Sequence, residues 1–155
     1  MKRWMGLCVL VLVLIGCSDP RNDIEVTPVE DETTYQAAEE FVSAYKSDMT
    51  QAVGQGGFDS LEDYLIPNNS YYHSLRRYMD DLEQGKATKE LLEFEVLNVY
   101  VGEDPESEFY VEALEEVAIT YLNDDVDEIS RHVEFELVKS PDGRFRIVTI
   151  RELNK

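Results

Sequence analysis

The spacing of apolar side chains changes period once along this chain, near Lys89, and that change constrains the fold more than any motif does. Before it, Tyr35, Ala38, Phe41, Val42, Tyr45, Met49, Ala52 and Val53 recur at threes and fours, which places them on one face of an amphipathic helix. Gly54, Gly56 and Gly57 end that helix. Phe58, Leu61, Tyr64 and Leu65 then mark a short second helix, with Asp59 near its start and Pro67 just beyond its end. Asn68-Asn69-Ser70 caps a third, whose stripe is Tyr72, Leu75, Met79 and Leu82, with Tyr71 and Tyr78 beside it and Gly85 as its stop. After Lys89-Glu90-Leu91-Leu92 the period falls to two, and residues 93–101, 109–122, 129–139 and 144–152 read as four strands. Gly102-Glu103-Asp104-Pro105, Asn123-Asp124-Asp125 and Ser140-Pro141-Asp142-Gly143 supply turn chemistry between them. Loops this short make consecutive strands antiparallel neighbours. The predicted plan is therefore α+β, three N-terminal helices packed on a four-stranded antiparallel meander sheet.

The N-terminus constrains location. Lys2 and Arg3 precede an apolar run over residues 4–15, and Leu14-Ile15-Gly16-Cys17 closes it. The run is too short for a membrane span, which needs about 20 residues, and has the length of a signal-peptide apolar region. A cysteine directly after Leu-Ile-Gly resembles the lipobox of bacterial lipoproteins, which implies cleavage after residue 16 and a diacylglyceryl group on Cys17. An uncleaved short anchor and an ordinary secretory signal are the other readings. Acyl chains contribute about 0.8 kcal/mol per buried methylene, so an acylated Cys17 makes the membrane a partner. Residues 17–33 carry Pro20, Pro28 and few large apolar side chains, and read as an acidic tether; 34–155 is the domain. The expected location is the extracytoplasmic face of a bacterial membrane.

Charge narrows the partners. The chain has 33 acidic and 14 basic residues; without Lys2 and Arg3 the basic count is 12, for a mature charge of about −21. Such a field repels phosphate backbones, so nucleic acid is not an expected partner, while cations or a basic protein surface are attracted. Simple solubility is the other reading of the charge. With Cys8 removed and Cys17 acylated, the domain holds no cysteine for a disulfide, a thiolate metal site or a nucleophile.

Particular stretches carry a family resemblance. Phe41-Val-Ser-Ala-Tyr45, Gly57-Phe-Asp-Ser-Leu-Glu-Asp-Tyr-Leu65, Pro67-Asn-Asn-Ser-Tyr-Tyr72 leading to Leu75 and Tyr78, and Leu92-Glu-Phe-Glu-Val96 resemble the nuclear transport factor two-like domain of teicoplanin-resistance-associated (TcaA-type) membrane proteins. The match covers about residues 35–153 and implies a cone-like α+β domain on an envelope protein of a Gram-positive bacterium. None of these stretches is a catalytic signature. TcaA-type proteins carry a zinc ribbon, a transmembrane helix and further domains upstream, where this chain has the lipobox and tether. The wider superfamily includes isomerases, dehydratases and non-catalytic modules.

Chemistry has few candidates. No Gly-rich phosphate loop, His-Glu-x-x-His or Gly-x-Ser-x-Gly occurs, and His73 and His132 lack metal-ligand spacing and are expected at the surface. No cofactor or metal is expected. The acidic groups Glu30-Asp31-Glu32, Glu103-Asp104 and Asp124-Asp125 with Asp127-Glu128 lack the EF-hand order of ligands.

The anomaly is Glu115, which falls on the apolar face of Phe109, Val111, Ala113, Val117, Ile119 and Tyr121. Burial there would raise its pKa and suit a general base or a ligand group. Pairing Val101 with Phe109 sets Leu97 opposite Ala113 and Glu95 opposite Glu115, a coupled carboxylate pair, with Tyr121 as a further polar group of the pocket. The other readings are a bulge near residues 114–116 that turns Glu115 outward, or a place for Glu115 at the wet mouth of the cone. On the opposite face the same register gathers Phe94, Val96, Tyr100, Tyr110 and Leu114 into an apolar patch. That patch reads as a partner surface, a second copy of this chain included, or as a surface covered by a loop or the C-terminal segment. Tyr71, Tyr72 and Tyr78 read first as core and rim packing. The expected function is a non-catalytic, membrane-anchored envelope module that binds a protein or cell-wall partner; the alternative is a small-ligand or isomerase-like pocket using Glu115.

Overall fold

A computed structural model describes residues 24–55 and 57–153; the leader expected over 1–16 and the acylation expected at Cys17 lie outside them. Helix α1, Glu32–Ala52, begins where the Asp31 carboxylate accepts the Thr34 N–H at 2.7 Å, and ends where Val53 turns extended before Gly54 at φ 86°. The predicted second helix is a 3-10 helix, Phe58–Tyr64, which buries Phe58 and Leu61. Helix α2, Ser70–Gln84, is capped by Asn69, whose side chain accepts the Tyr72 N–H at 2.8 Å while its amide donates to the Val148 carbonyl at 2.9 Å. One side chain thus starts α2 and ties it to the sheet. Among the described residues no helix is long and apolar enough to cross a membrane.

The sheet has five strands, not the four predicted, in the antiparallel order β1 (Thr27–Pro28), β2 (Thr88–Val101), β3 (Glu108–Thr120), β4 (Val126–Lys139) and β5 (Phe145–Glu152). The extra strand lies in the segment read as tether. Thr27 and Pro28 pair with Val101 and Tyr100, the Val29 N–H donates to the Val99 carbonyl at 2.9 Å, and the Val29 side chain packs against the core. Two residues show no period, and proline is tolerated there because an edge strand has a free side. Strand β2 also starts earlier than expected, because a bulge at Leu92 breaks the alternation that would have revealed Thr88 to Leu91 as strand.

A second bulge in β2, at Leu97, has larger consequences. Val99 still meets Val111, but Val96 now meets Ala113, Glu95 meets Leu114 and Phe94 meets Glu115. Every β2 side chain from Glu93 to Val96 therefore changes face relative to the predicted register, and the bulge at Leu92 restores the predicted faces for Thr88 to Leu91. Phe94 and Val96 pack against the core, with the Phe94 ring edge-on to Phe135 at 6.0 Å, instead of joining an outer patch. Tyr100, Tyr110 and Leu114 remain on the outer face, but Tyr110 is buried and Leu114 pairs across to His132, so the five-residue patch does not form.

The core fills the space between the helices and the inner sheet face. Tyr45, Leu61, Leu65, Val111, Phe135, Leu137 and Ile147 are fully buried, and edge-on ring pairs such as Tyr45 with Phe135 and Phe109 with Phe145 fix their packing. At one end of the sheet, where β4 and β2 outrun β5, the core gives way to charge.

Candidate functional site

Strand β3 runs against β4 without a bulge from Glu108 opposite Val138 to Thr120 opposite Val126. Glu115 therefore keeps the face of Ala113 and Val117 and is 4% exposed; the outward-turning bulge at residues 114–116 does not occur. Glu95 lies one position off, exposed, so no coupled carboxylate pair forms.

What meets Glu115 is positive. Lys46 reaches its Oε2 from α1, and Arg131, directly opposite on β4, reaches its Oε1. Burial pushes the Glu115 carboxyl up, but the charges of Lys46, Arg131 and Lys89 together outweigh it and hold the group below the ordinary carboxylate value. This reverses the raised pKa expected from the sequence. An ionised, doubly paired carboxylate is a weak proton acceptor, and a general-base role loses its physical support.

Lys89 completes the cluster. It points inward opposite Ile119, is 8% exposed, and donates from Nζ to the Tyr78 hydroxyl at 3.2 Å, with the Tyr78 ring centroid 5.1 Å away. Burial, then the neighbouring Lys46 and Arg131 charges, push its pKa down to about 8. Lys46 is shifted down as well, burial outweighing the opposing effect of Glu115. Beside them the Tyr45 and Tyr71 hydroxyls lie 2.8 Å apart, and burial raises both, Tyr71 to about 12.

These groups line a cavity of about 260 Å³ between α1, α2 and the sheet, with Met49, Leu75, Val133 and Ile150 as apolar wall and Ser74 and Glu152 also lining it. Tyr71 and Tyr78 thus face a cavity, whereas Tyr72 packs edge-on against Phe58 as core. Tyr121 does not line the cavity; its hydroxyl binds Asp127. Glu95 lines a neighbouring groove with Glu93, Glu116 and Glu152. His73 is exposed with its ring edge-on to Tyr72, and His132, on the outer face, holds Glu112 at 2.6 Å. Among the described residues no three His, Cys, Asp or Glu side chains gather as a metal site.

Sequence reasoning missed the three cations, though two left a signal. Lys46 falls four after Val42 and three before Met49, on the buried stripe of α1, and Arg131 alternates with Ile129, Val133 and Phe135 on the inner face of β4. A lone charge on an apolar face reads as an exception; two cations and a carboxylate on facing stripes read as a buried cluster. Lys89 left no signal, because the bulge at Leu92 hid its strand.

Known proteins share this architecture. The family model described as the TcaA protein NTF2-like domain matches residues 34–151, and the chain belongs to that family. An uncharacterized protein of Alkalihalophilus pseudofirmus is 42% identical over 153 residues, covering 98% of this chain and 97% of that one. Among solved structures, the intermembrane space region of the chloroplast protein ARC6 superposes with a TM-score of 0.63 at 20% identity, over 83% of this chain and 100% of that one. A Catenulispora acidiphila protein in complex with S-DNPA superposes at 0.53 with 13% identity, over 79% and 93%. At these identities the two structures share the fold.

Proposed function

We propose that this member of the TcaA NTF2-like family is a non-catalytic cell-envelope module, anchored by an acylated Cys17, that captures a partner through the cavity mouth between α1, α2 and the sheet. The observation that carries the reading is the Lys46–Glu115–Arg131 cluster, in which the carboxylate expected to do chemistry is instead neutralised inside a lined cavity. The isomerase-like alternative needs Glu115 as a base, and the cluster argues against it; its ligand-binding half merges with the present reading. The likeness to an intermembrane-space region and to a protein solved with a small molecule supports a pocket-bearing domain working outside the cytoplasm. The lipobox supports anchoring.

Two measurements in cells test this. A photo-crosslinking residue at Ser74, which lines the cavity, should give a discrete adduct, while the same residue at exposed Asp80 on α2 should not. Failure of Ser74 to give an adduct across several growth conditions would remove the mouth as the binding surface. Metabolic labelling with an alkyne fatty acid should mark the wild type and not Cys17→Ser; equal labelling would remove the anchor.

A further inference from the structure

The cavity is electrically opposite to the molecule around it. The chain carries a formal charge of −19, yet Lys46, Lys89, Arg131 and Arg151 line this one cavity against only Glu115 and Glu152. Glu115 is already shared between Lys46 and Arg131, and Arg151 is engaged by Glu136 on the outer face. Lys89 makes no ion pair among the described residues, and its one hydrogen-bond partner is the Tyr78 hydroxyl. The Nε–H of Arg131 is buried without an acceptor. A buried ammonium with no direct ion-pair partner and a buried guanidinium N–H without an acceptor are each costly. Both lining one cavity indicates what the cavity receives.

We propose that this cavity is a carboxylate-binding site, in which Lys89 and Arg131 hold the anion while Met49, Leu75 and Ile150 receive its apolar substituent. The proposal rests on the mouth being the binding surface and names the chemistry taken there. Two donor groups match the two oxygens of a carboxylate, with Glu115 positioning Arg131 through its Nη2. The apolar wall suits an organic acid better than a strongly hydrated phosphate, and about 260 Å³ accommodates a benzoate or one aromatic residue at a peptide terminus.

The test is calorimetric titration of the full-length chain in nonionic micelles, against micelles alone, with benzoate, benzamide, N-acetylphenylalanine and inorganic phosphate as probes. Benzoate or N-acetylphenylalanine should bind one to one, and whichever binds more tightly tells a free acid from a peptide terminus. Benzamide should bind at least about 10-fold more weakly than benzoate, and Lys89→Met should weaken benzoate by a similar factor, the usual scale of a charge-assisted hydrogen bond. Lys89→Arg should restore most of the loss. Equal binding of benzamide, indifference to Lys89→Met, preference for phosphate, or no binding of any probe would each overturn the carboxylate assignment. The Ser74 crosslink separates the two readings: an adduct that persists while the carboxylates fail leaves the mouth standing and removes only its chemistry.

Discussion

Lys89 should cost the fold stability, and replacing it with methionine should make the protein more stable. Its ammonium titrates at about 8 in the fold against 10.5 for an ordinary lysine. At 1.36 kcal/mol per pH unit, that difference is about 3 kcal/mol of preference for the neutral form. The sign follows from proton counts. Between those two values the unfolded chain binds the proton and the folded chain does not, so stability rises with pH across the interval and the full cost is present below about 8. Methionine fills a similar length without charge, but forfeits the contact with the Tyr78 ring and hydroxyl, about 1 kcal/mol. The net expectation at pH 7 is a gain of about 2 kcal/mol, or roughly 4–8 °C in Tm for a domain of this size. Urea unfolding followed by circular dichroism, at pH 7 and pH 10, measures it: the advantage of Lys89→Met should shrink at the higher pH. A variant less stable than wild type at pH 7, or an advantage independent of pH, would refute the reasoning. A buried charge kept at a cost to stability is what a binding group looks like before its ligand arrives.

Glu115→Gln should do the opposite, destabilising by about 3–5 kcal/mol in urea unfolding because Lys46 and Arg131 lose their shared counter-charge. Since Glu115 titrates below the ordinary 4.5, its stabilisation is present above that value and lost as pH falls through the folded one, so the variant's deficit should narrow in acid unfolding. Asn69→Ala should cost about 1–2 kcal/mol by the same assay, the α2 cap and the tie to Val148 failing together. In an absorbance titration, Tyr64 and Tyr71 should ionise only near about 12, and Tyr64→Phe and Tyr71→Phe should each remove one late-titrating phenol from the nine tyrosines.

The helices were legible because each carries its period, with Asn69 capping α2 and Gly54 and Gly85 as stops; Asp31, which caps α1, was read only as part of the acidic tether. The strands after Gly102 were legible for the same reason. What the sequence concealed lies in β1 and β2. Thr27–Pro28 is held by its partner strand and has no signal of its own, and a bulge is a property of two strands, visible only when the neighbour's register is known. Leu97 alone accounts for three mistaken placements, those of Phe94, Val96 and Glu95, because one extra residue inverts every face from there back to the bulge at Leu92. Glu115 was placed correctly on the apolar face, yet its chemistry was inverted. Burial was readable from one strand, whereas the compensating cations come from three other elements.

The site's two charge environments adjoin, and this sets the form of partner that fits. The cavity holding Lys89 and the groove holding Glu93, Glu95 and Glu116 share Glu115, Arg131 and Glu152 as lining. The groove's own carboxylates lie on the outer sheet face, so a ligand whose carboxylate enters the cavity has them nearby, within a molecule of charge −19. A purely anionic partner is repelled before it arrives, while one that carries cations just behind its carboxylate is attracted at both steps. A peptide ending in Lys-Lys-Phe should thus bind the full-length protein more tightly than one ending in Glu-Glu-Phe. The groove is open to water, so its contribution is screened, and the difference should largely vanish near 1 M salt, where the Debye length falls to about 3 Å. The Lys89-dependent part should survive, since buried charges are screened much less. Equal affinities at low salt would mean that the acidic groove does not act on what enters the mouth.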